Sequence, residues 1–168
     1  EIWFGITASP EKSIEQAEHA TQRVTALNPD QPPPYSLLSQ ISLLKKDMDN
    51  AILYGEKAIE LNPNNAGCYL TMGMVFRNAG RYEEAIKNLE TALQLAPLRP
   101  IVYVNNLAAS YLGTKQYDKS ILLWNETIER NPDYLFAYLG LTAAYEWSCN
   151  HERARGAAEN GMRVNPGV

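Results

Sequence analysis

The chain has 168 residues and 18.8 kDa, with 45% hydrophobic and 20% charged residues and a net charge of −4 from 15 Lys and Arg against 19 Asp and Glu. That composition belongs to a globular chain with a sizeable core and excludes a disordered one. It lacks the basic excess of a phosphate-backbone binder, so no nucleic acid is expected as a partner, and no apolar run approaches the ~20 residues of a membrane helix.

Along the chain, prolines recur at Pro29, Pro63, Pro97, Pro132 and Pro166, in steps of 34, 34, 35 and 34. Four follow asparagine, and Ala96 precedes the fifth. Small residues keep the same beat: Ala17, Ala51, Ala85, Ser120 and Ala154 in one series, Gly5, Ser39, Gly73, Ala108 and Thr142 in another. Each step reads as one helix–turn–helix unit with a 3.6-residue apolar pattern in both halves. The small residues let the paired helices approach. The Asn-Pro step ends each second helix, because the residue before proline is pushed out of the helical region. Proline is then expected where the next helix begins.

The first unit, 1–31, starts part-way through its register; Ser9 to Ile14 leads into a helix that ends at Ala26-Leu27-Asn28-Pro29. The second, 32–65, opens on Pro32-Pro33-Pro34, which suits a first turn. In the third, 66–100, Tyr69, Met72, Val75 and Phe76 share a stripe, Asn78-Ala79-Gly80 breaks the helix, and Ala85, Ile86, Leu89, Ala92 and Leu93 form the second stripe. The extra residue of the 35-residue step falls in Leu98-Arg99-Pro100. The fourth unit, 101–134, carries Trp124 and Thr127 on its second helix; the fifth, 135–168, has Cys149 at the turn.

This pattern resembles the tetratricopeptide repeat (TPR) over essentially the whole chain. The resemblance implies an all-α fold, with helix-turn-helix repeats stacked in a right-handed solenoid. The ordered tokens Ala96-Pro97-Leu98-Arg99-Pro100, Tyr117 to Ile121, Asn131 to Leu135 and Val164-Asn165-Pro166-Gly167 also resemble the C-terminal TPR arrays of bacterial class III adenylate/guanylate cyclases, and similar arrays follow winged-helix domains in some bacterial regulators. In the family, the first helix of each hairpin lines a concave groove. Carried over by register, the lining comprises Ile2 and Ile6; Ser36, Gln40, Leu43 and Leu44; Leu70, Met74, Arg77 and Asn78; Val102, Asn105, Ala109 and Leu112; and Phe136, Leu139, Ala143, Glu146 and Trp147. Of these, Gln40, Leu70, Met74, Arg77, Asn78, Asn105, Phe136, Leu139 and Trp147 are the candidate partner-binding residues. The face is mostly apolar and suits a helix or extended segment, with amides to meet backbone groups. The plainer alternative is that these side chains only pack against their neighbours. Members that hold chaperone C-terminal carboxylates carry Lys and Arg where this chain has Ser36, Leu70, Asn105 and Leu139, so that clamp is not expected.

No catalytic, cofactor-binding or metal-binding residues are expected. His19 and His151 stand in the first and last units, without a glycine-rich loop or a Cys-based metal motif beside them. Glu83-Glu84 and Glu15-Gln16 read as first-turn residues of second helices, where negative charge suits the helix dipole. Asn125-Glu126-Thr127 matches a glycosylation sequon but falls mid-helix. Cys68 and Cys149 have no partner by register, which favours a reducing, cytoplasmic compartment, with a parent that could be membrane-attached.

Two functions stay open. One is a non-catalytic protein–protein interaction module, regulatory or scaffolding, with a protein or peptide segment as partner and a cyclase or regulator as parent. The other is a self-association module that sets the parent's oligomeric state. The register suggests a fragment of a longer protein whose ends expose apolar surface, around Ala157, Met162 and Val164 at the C-terminus.

Overall fold

A computed structural model describes residues 10–27 and 34–165. The register positions Gly5, Asn28, Pro29, Pro32, Pro33 and Pro166, and the groove positions Ile2 and Ile6, lie outside the described residues. Nine helices, and no strand, are found among those described: α1 (Pro10–Leu27), α2 (Tyr35–Leu44), α3 (Met48–Leu61), α4 (Ala66–Asn78), α5 (Tyr82–Leu95), α6 (Ile101–Gly113), α7 (Tyr117–Arg130), α8 (Leu135–Trp147) and α9 (His151–Val164). From α2 on they pair as hairpins, α2 with α3 through to α8 with α9, and α1 packs against α2.

Each hairpin turn is closed in the same way. Lys46, Gly80, Lys115 and Cys149, at one position of successive repeats, all have φ between 60° and 74°. The next residue's N–H then reaches back five residues, as from Arg81 to the Phe76 carbonyl at 2.9 Å and from Asn150 to that of Tyr145 at 2.8 Å, capping carbonyls the helix leaves open. Only one of the four turns has the glycine that this backbone favours.

The second helices stop as the Asn-Pro step predicts. Asn62, Ala96, Asn131 and Asn165 leave the helical region, with φ between −119° and −146°. The prolines, however, do not open the next helix. Pro63, Pro97 and Pro132 sit in the connecting turn, and α4, α6 and α8 begin at Ala66, Ile101 and Leu135. The turn must first close on itself, by the N–H of Asn65 on the Asn62 carbonyl and that of Tyr134 on Asn131. Likewise Pro34 precedes α2 as its cap residue rather than joining its first turn. The added residue of the long step is absorbed at Arg99, whose φ is +46°. Glu126 holds it through a fork, Nε at 3.0 Å and Nη2 at 2.9 Å, and Arg130 donates to the carbonyls of Arg99 and Leu98. Arg99 in turn keeps the Glu126 carboxyl below the ordinary carboxylate range.

The two small-residue series meet inside each hairpin. Ala51, Ala85, Ala108, Ser39 and Ser120 have no exposed surface. The buried serines are satisfied across the seam: Ser39 donates to the Ala51 carbonyl at 2.6 Å, and Ser120 donates to that of Ala108 at 2.8 Å. Above the seam a continuous core runs from Met72 and Phe76 through Leu89, Val104, Tyr111 and Trp124 to Leu141 and Ala157.

Three expectations are corrected. Ala157 is buried in this core, because its face of α9 turns onto α8, whereas Met162 is half-exposed. Glu15 and Gln16 lie in the second turn of α1, which starts at Pro10, so of the two pairs Glu83-Glu84 alone stands in a first turn. Tyr69 of the α4 stripe is only half-buried, whereas Tyr111 of α6 lies in the core.

Tyr111 supplies a pH test. Its hydroxyl donates to Glu90 of the preceding repeat at 2.6 Å. Burial, and then that carboxylate, push its pKa up from 10 to about 12. A phenol that is harder to ionise folded than unfolded contributes stability that is complete below pH 10 and is lost as pH climbs through about 12. The melting temperature should therefore fall over that interval, and less steeply in Tyr111→Phe. Equal slopes for the two proteins would contradict the assignment.

Candidate functional site

Curvature follows from which helices touch. Among the described residues, consecutive first helices are in contact, α2 with α4, α4 with α6 and α6 with α8. The second helices α3, α5, α7 and α9 do not contact one another. A layer whose neighbours touch is the inner wall of a bent stack, and the splayed layer is its outside. The predicted lining residues that fall within the described residues stand on this inner layer.

The apolar positions differ in how far they are spent on packing. Phe136, Leu139 and Trp147 are 63%, 44% and 58% exposed, and Val102 and Leu44 are also open. Together with Ala143 the α8 residues follow the i, i+3, i+7, i+11 spacing of one helix face. Phe136 rests against the Tyr134 ring, centroids 5.8 Å apart. Leu70, by contrast, packs on the core, as do Ala109 and Leu112 in part. Met74 is half-buried.

The amides are less open than the sequence suggests. Gln40 donates to Thr71 at 3.1 Å, and the Ser36 hydroxyl lies 3.1 Å from the same oxygen. Thr71 is buried, so these two inner residues tie α2 to α4. Asn78 donates to the Met74 carbonyl of its own helix at 2.8 Å. Asn105 accepts from the Trp124 indole N–H at 3.1 Å. The side-chain oxygens of Gln40 and Asn78 and the amide nitrogen of Asn105 are left for a partner.

Charge is sparse. The inner helices α2, α4, α6 and α8 contain two charged residues, Arg77 and Glu146. Glu146 pairs with His151 at 2.9 Å. Arg77 has a buried Nε with no hydrogen-bond partner. Burial lowers its pKa, and the one ionisable group acting against that is the Tyr82 phenol. The repeat register places Arg77 among the lining residues, but nothing in the sequence marks its Nε as unpartnered, since a cation in the last turn of a helix is ordinary.

No cluster of three or more metal-ligating side chains occurs among the described residues, and no described helix is long and apolar enough to cross a membrane. His19 is exposed, Cys149 is exposed and Cys68 is buried, with burial pushing its thiol pKa up.

Tetratricopeptide-repeat models match residues 32–65, 54–87 and 76–145, an unbroken run over most of the chain. The chain belongs to the tetratricopeptide-repeat family. Among known proteins it is 26% identical over 166 residues to anaphase-promoting complex subunit 7 of Homo sapiens, covering 97% of this chain and 29% of that one. It is 30% identical over 89 residues to the Hsp70-Hsp90 organizing protein of Triticum aestivum, covering 53% of this chain and 15% of that protein. The chain thus spans less than a third of the curated relatives it matches. Its fold is that of MamA 41-end from Desulfovibrio magneticus RS-1, with a TM-score of 0.75, 19% identity and coverage of 95% of this chain and 88% of that one. TPR proteins bind protein partners, and this TPR array has exposed apolar residues on its inner helices, Val102, Phe136, Leu139 and Trp147 among them.

Proposed function

We propose that this TPR array is a non-catalytic protein–protein interaction module that holds a partner segment on its inner face. The observation that carries the reading is the exposed stripe Phe136, Leu139 and Trp147, continued by Val102 on α6, on the helices that form the inner wall. Large apolar residues clustered on one face of a folded chain mark a binding surface rather than a solvated one. The candidate contacts remain Gln40, Leu70, Met74, Arg77, Asn78, Asn105, Phe136, Leu139 and Trp147, with the apolar members supplying most of the affinity. The relatives' names describe a complex subunit and an organizing protein, roles that suit a scaffold. The positions that carry cations in chaperone-binding members are here Ser36, Leu70, Asn105 and Leu139, which argues against chaperone tails as ligands. A bacterial cyclase or regulator as parent rests on the sequence resemblance alone, and the interaction reading stands without it.

The test is a Met74→Ala, Leu139→Ala double variant. Proteins that co-purify with the wild-type array from its source should be lost or reduced about tenfold or more, since truncating the few dominant contacts at the centre of an interface costs more than about 1 kcal/mol each. Helicity should be unchanged, because both side chains are at least partly exposed. Undiminished co-purification would refute the groove.

Self-association is the rival reading, and Leu122 and Met162, 68% and 50% exposed on the outer helices, favour it. Sedimentation velocity over a wide concentration range separates the two. A monomer throughout leaves the groove reading; a concentration-dependent oligomer that survives the double variant supports self-association through the outer faces.

A further inference from the structure

The outer layer holds a cleft whose counterpart one repeat upstream is filled. Between α7 and α9, with α8 as its floor, an open cavity of about 380 Å³ is lined by Asn125, Tyr138, Leu141, Tyr145, Arg153 and Gly156, among others. Its size suits a small ligand. Repeat register pairs these positions with those of the α5–α7 seam: Tyr145 with Tyr111, Asn125 with Glu90 and Arg153 with Lys119. The upstream set is closed on itself. The Tyr111 hydroxyl donates to Glu90 at 2.6 Å, and the Lys119 ammonium stands over the Tyr111 ring, 4.9 Å from its centroid.

Downstream the ring and the cation are kept, and the acid is missing. The Arg153 guanidinium stands over the Tyr145 ring, 5.8 Å from its centroid. The Asn125 side chain is one methylene shorter than that of Glu90, and neither it nor the Tyr145 hydroxyl makes a hydrogen bond among the described residues. The seam is also emptier. Leu122 and Leu123 upstream correspond to Gly156 and Ala157, and a Cβ on Gly156 would meet no atom within 4 Å. Tyr145 is accordingly half-buried where Tyr111 is buried, and Asn125 and Arg153 are exposed. Arg153 makes no ion pair among the described residues, and no acid lines the cleft. Asn160, on the same wall, already accepts from Arg163 at 3.2 Å, which leaves its N–H groups to donate. One cation with phenol and amide donors, over an apolar floor and without an anion, is complementary to an anion that carries an apolar body.

We propose that the α7–α9 cleft binds a small carboxylic acid with a compact apolar body. Its carboxylate takes the place that Glu90 fills upstream, between the Tyr145 hydroxyl, the Asn125 amide and Arg153. Its apolar part lies over Leu141 in the space beside Gly156. The Tyr111–Glu90 pair is the reason for choosing a carboxylate, and a phosphate would call for more than the single cation present. The site is independent of the inner-face reading, because its walls are second helices.

The experiment titrates the isotope-labelled whole chain with phenylacetate and isocaproate, each beside its primary amide, and follows the backbone N–H resonances. The acids should shift Asn125, Tyr145 and Gly156, and the amides should bind about tenfold or more weakly, since hydrogen bonds to a charged group are the stronger ones. Gly156→Leu puts back the upstream leucine and should weaken the acids by about tenfold or more, by filling their space. Its melting temperature should hold or rise, because that space is open and leucine is the better helix former. Asn125→Glu should rebuild the upstream pair with Tyr145 and exclude the acids to a similar degree. In Arg153→Gln the acids should lose most of their advantage over the amides. Circular dichroism confirms that each variant is folded; if Asn125→Glu is not, the other two carry the test. Shifts confined to other faces, acids bound no better than their amides, binding that Gly156→Leu leaves intact, or no binding at millimolar acid would overturn the proposal. Tighter binding at the same residues by a blocked peptide with one internal Glu would overturn the choice of a free small molecule and give the cleft to a partner's side chain.

Discussion

Trp124→Ala should destabilise the protein by about 3–5 kcal/mol, lowering its melting temperature by on the order of 10 °C. Trp124 joins three helices. It belongs to α7 and is 2% exposed. Its indole N–H donates to Asn105 on α6 at 3.1 Å. Its ring lies so close to α8 that a Cβ on Gly140 would come within 2.2 Å of it. Truncation leaves a cavity between two repeats and strips Asn105 of its donor. In a stacked array each repeat depends on its neighbours, so weakening one junction should also split the cooperativity. Thermal or urea unfolding should then broaden or become biphasic, with α8 and α9 released first. Trp124→Phe keeps part of the ring and should cost less, with the difference from Ala reporting the packing. An alanine variant that melts within a degree or two of wild type would show that the α7–α8 junction is not built this way.

Gly73→Ala should cost about 1–3 kcal/mol despite adding a single methyl group. The new Cβ would stand 2.4 Å from Leu89 Cγ and 2.7 Å from its Cδ2, and Leu89 has no exposed surface into which to retreat. Helix propensity alone would favour alanine here, since glycine within a helix is worse by roughly 0.8–1.0 kcal/mol. The sign of the measured change therefore decides between local preference and hairpin packing. Leu89→Ala should itself cost about 2–5 kcal/mol by leaving a cavity. In the double variant the added methyl occupies part of the space that leucine vacates, so the two losses should sum to more than the double variant's loss, with a coupling of about 0.5–3 kcal/mol. Gly55 gives a control. A Cβ there meets the Met72 sulfur at 2.0 Å, but a thioether on an unbranched chain can swing aside, so Gly55→Ala should cost less than Gly73→Ala. Strict additivity of the Gly73 and Leu89 changes would mean that these side chains do not compete for the same volume.

Much of this architecture is legible from the residues because it is repeated. The Asn-Pro step recurs because the same stop is needed at Asn62 and Asn131, and the structure shows each outside the helical region that a following proline disfavours. The paired small residues recur because each hairpin needs a close seam. Where repetition weakens, so does legibility. Lys46, Lys115 and Cys149 adopt the same left-handed turn as Gly80 without the glycine that would announce it. The prolines were expected at helix starts because each alone is compatible with that position. Only the closed turn from Asn62 to Asn65 shows that the helix waits three residues longer.

The family resemblance implied that the first helices are the inner ones; by itself the sequence determined that this protein is a stack of helical hairpins of one register. Periodicity carries that information, since it is a property of local backbone preference and of contacts made at the same spacing in every unit. The tertiary structure alone decided which inner residues are already spent. Gln40 and Thr71 are 31 residues apart, Asn105 and Trp124 19, Tyr111 and Glu90 21, and Arg99 and Glu126 27. Each of these pairings depends on the particular side chains that two neighbouring helices bring together, and none recurs at the next repeat to mark itself. The same holds for Arg77. A cation near a helix end is unremarkable in a sequence, and only the packed fold shows its Nε buried and without a partner, because desolvation is set by what surrounds a group and not by where it stands along the chain.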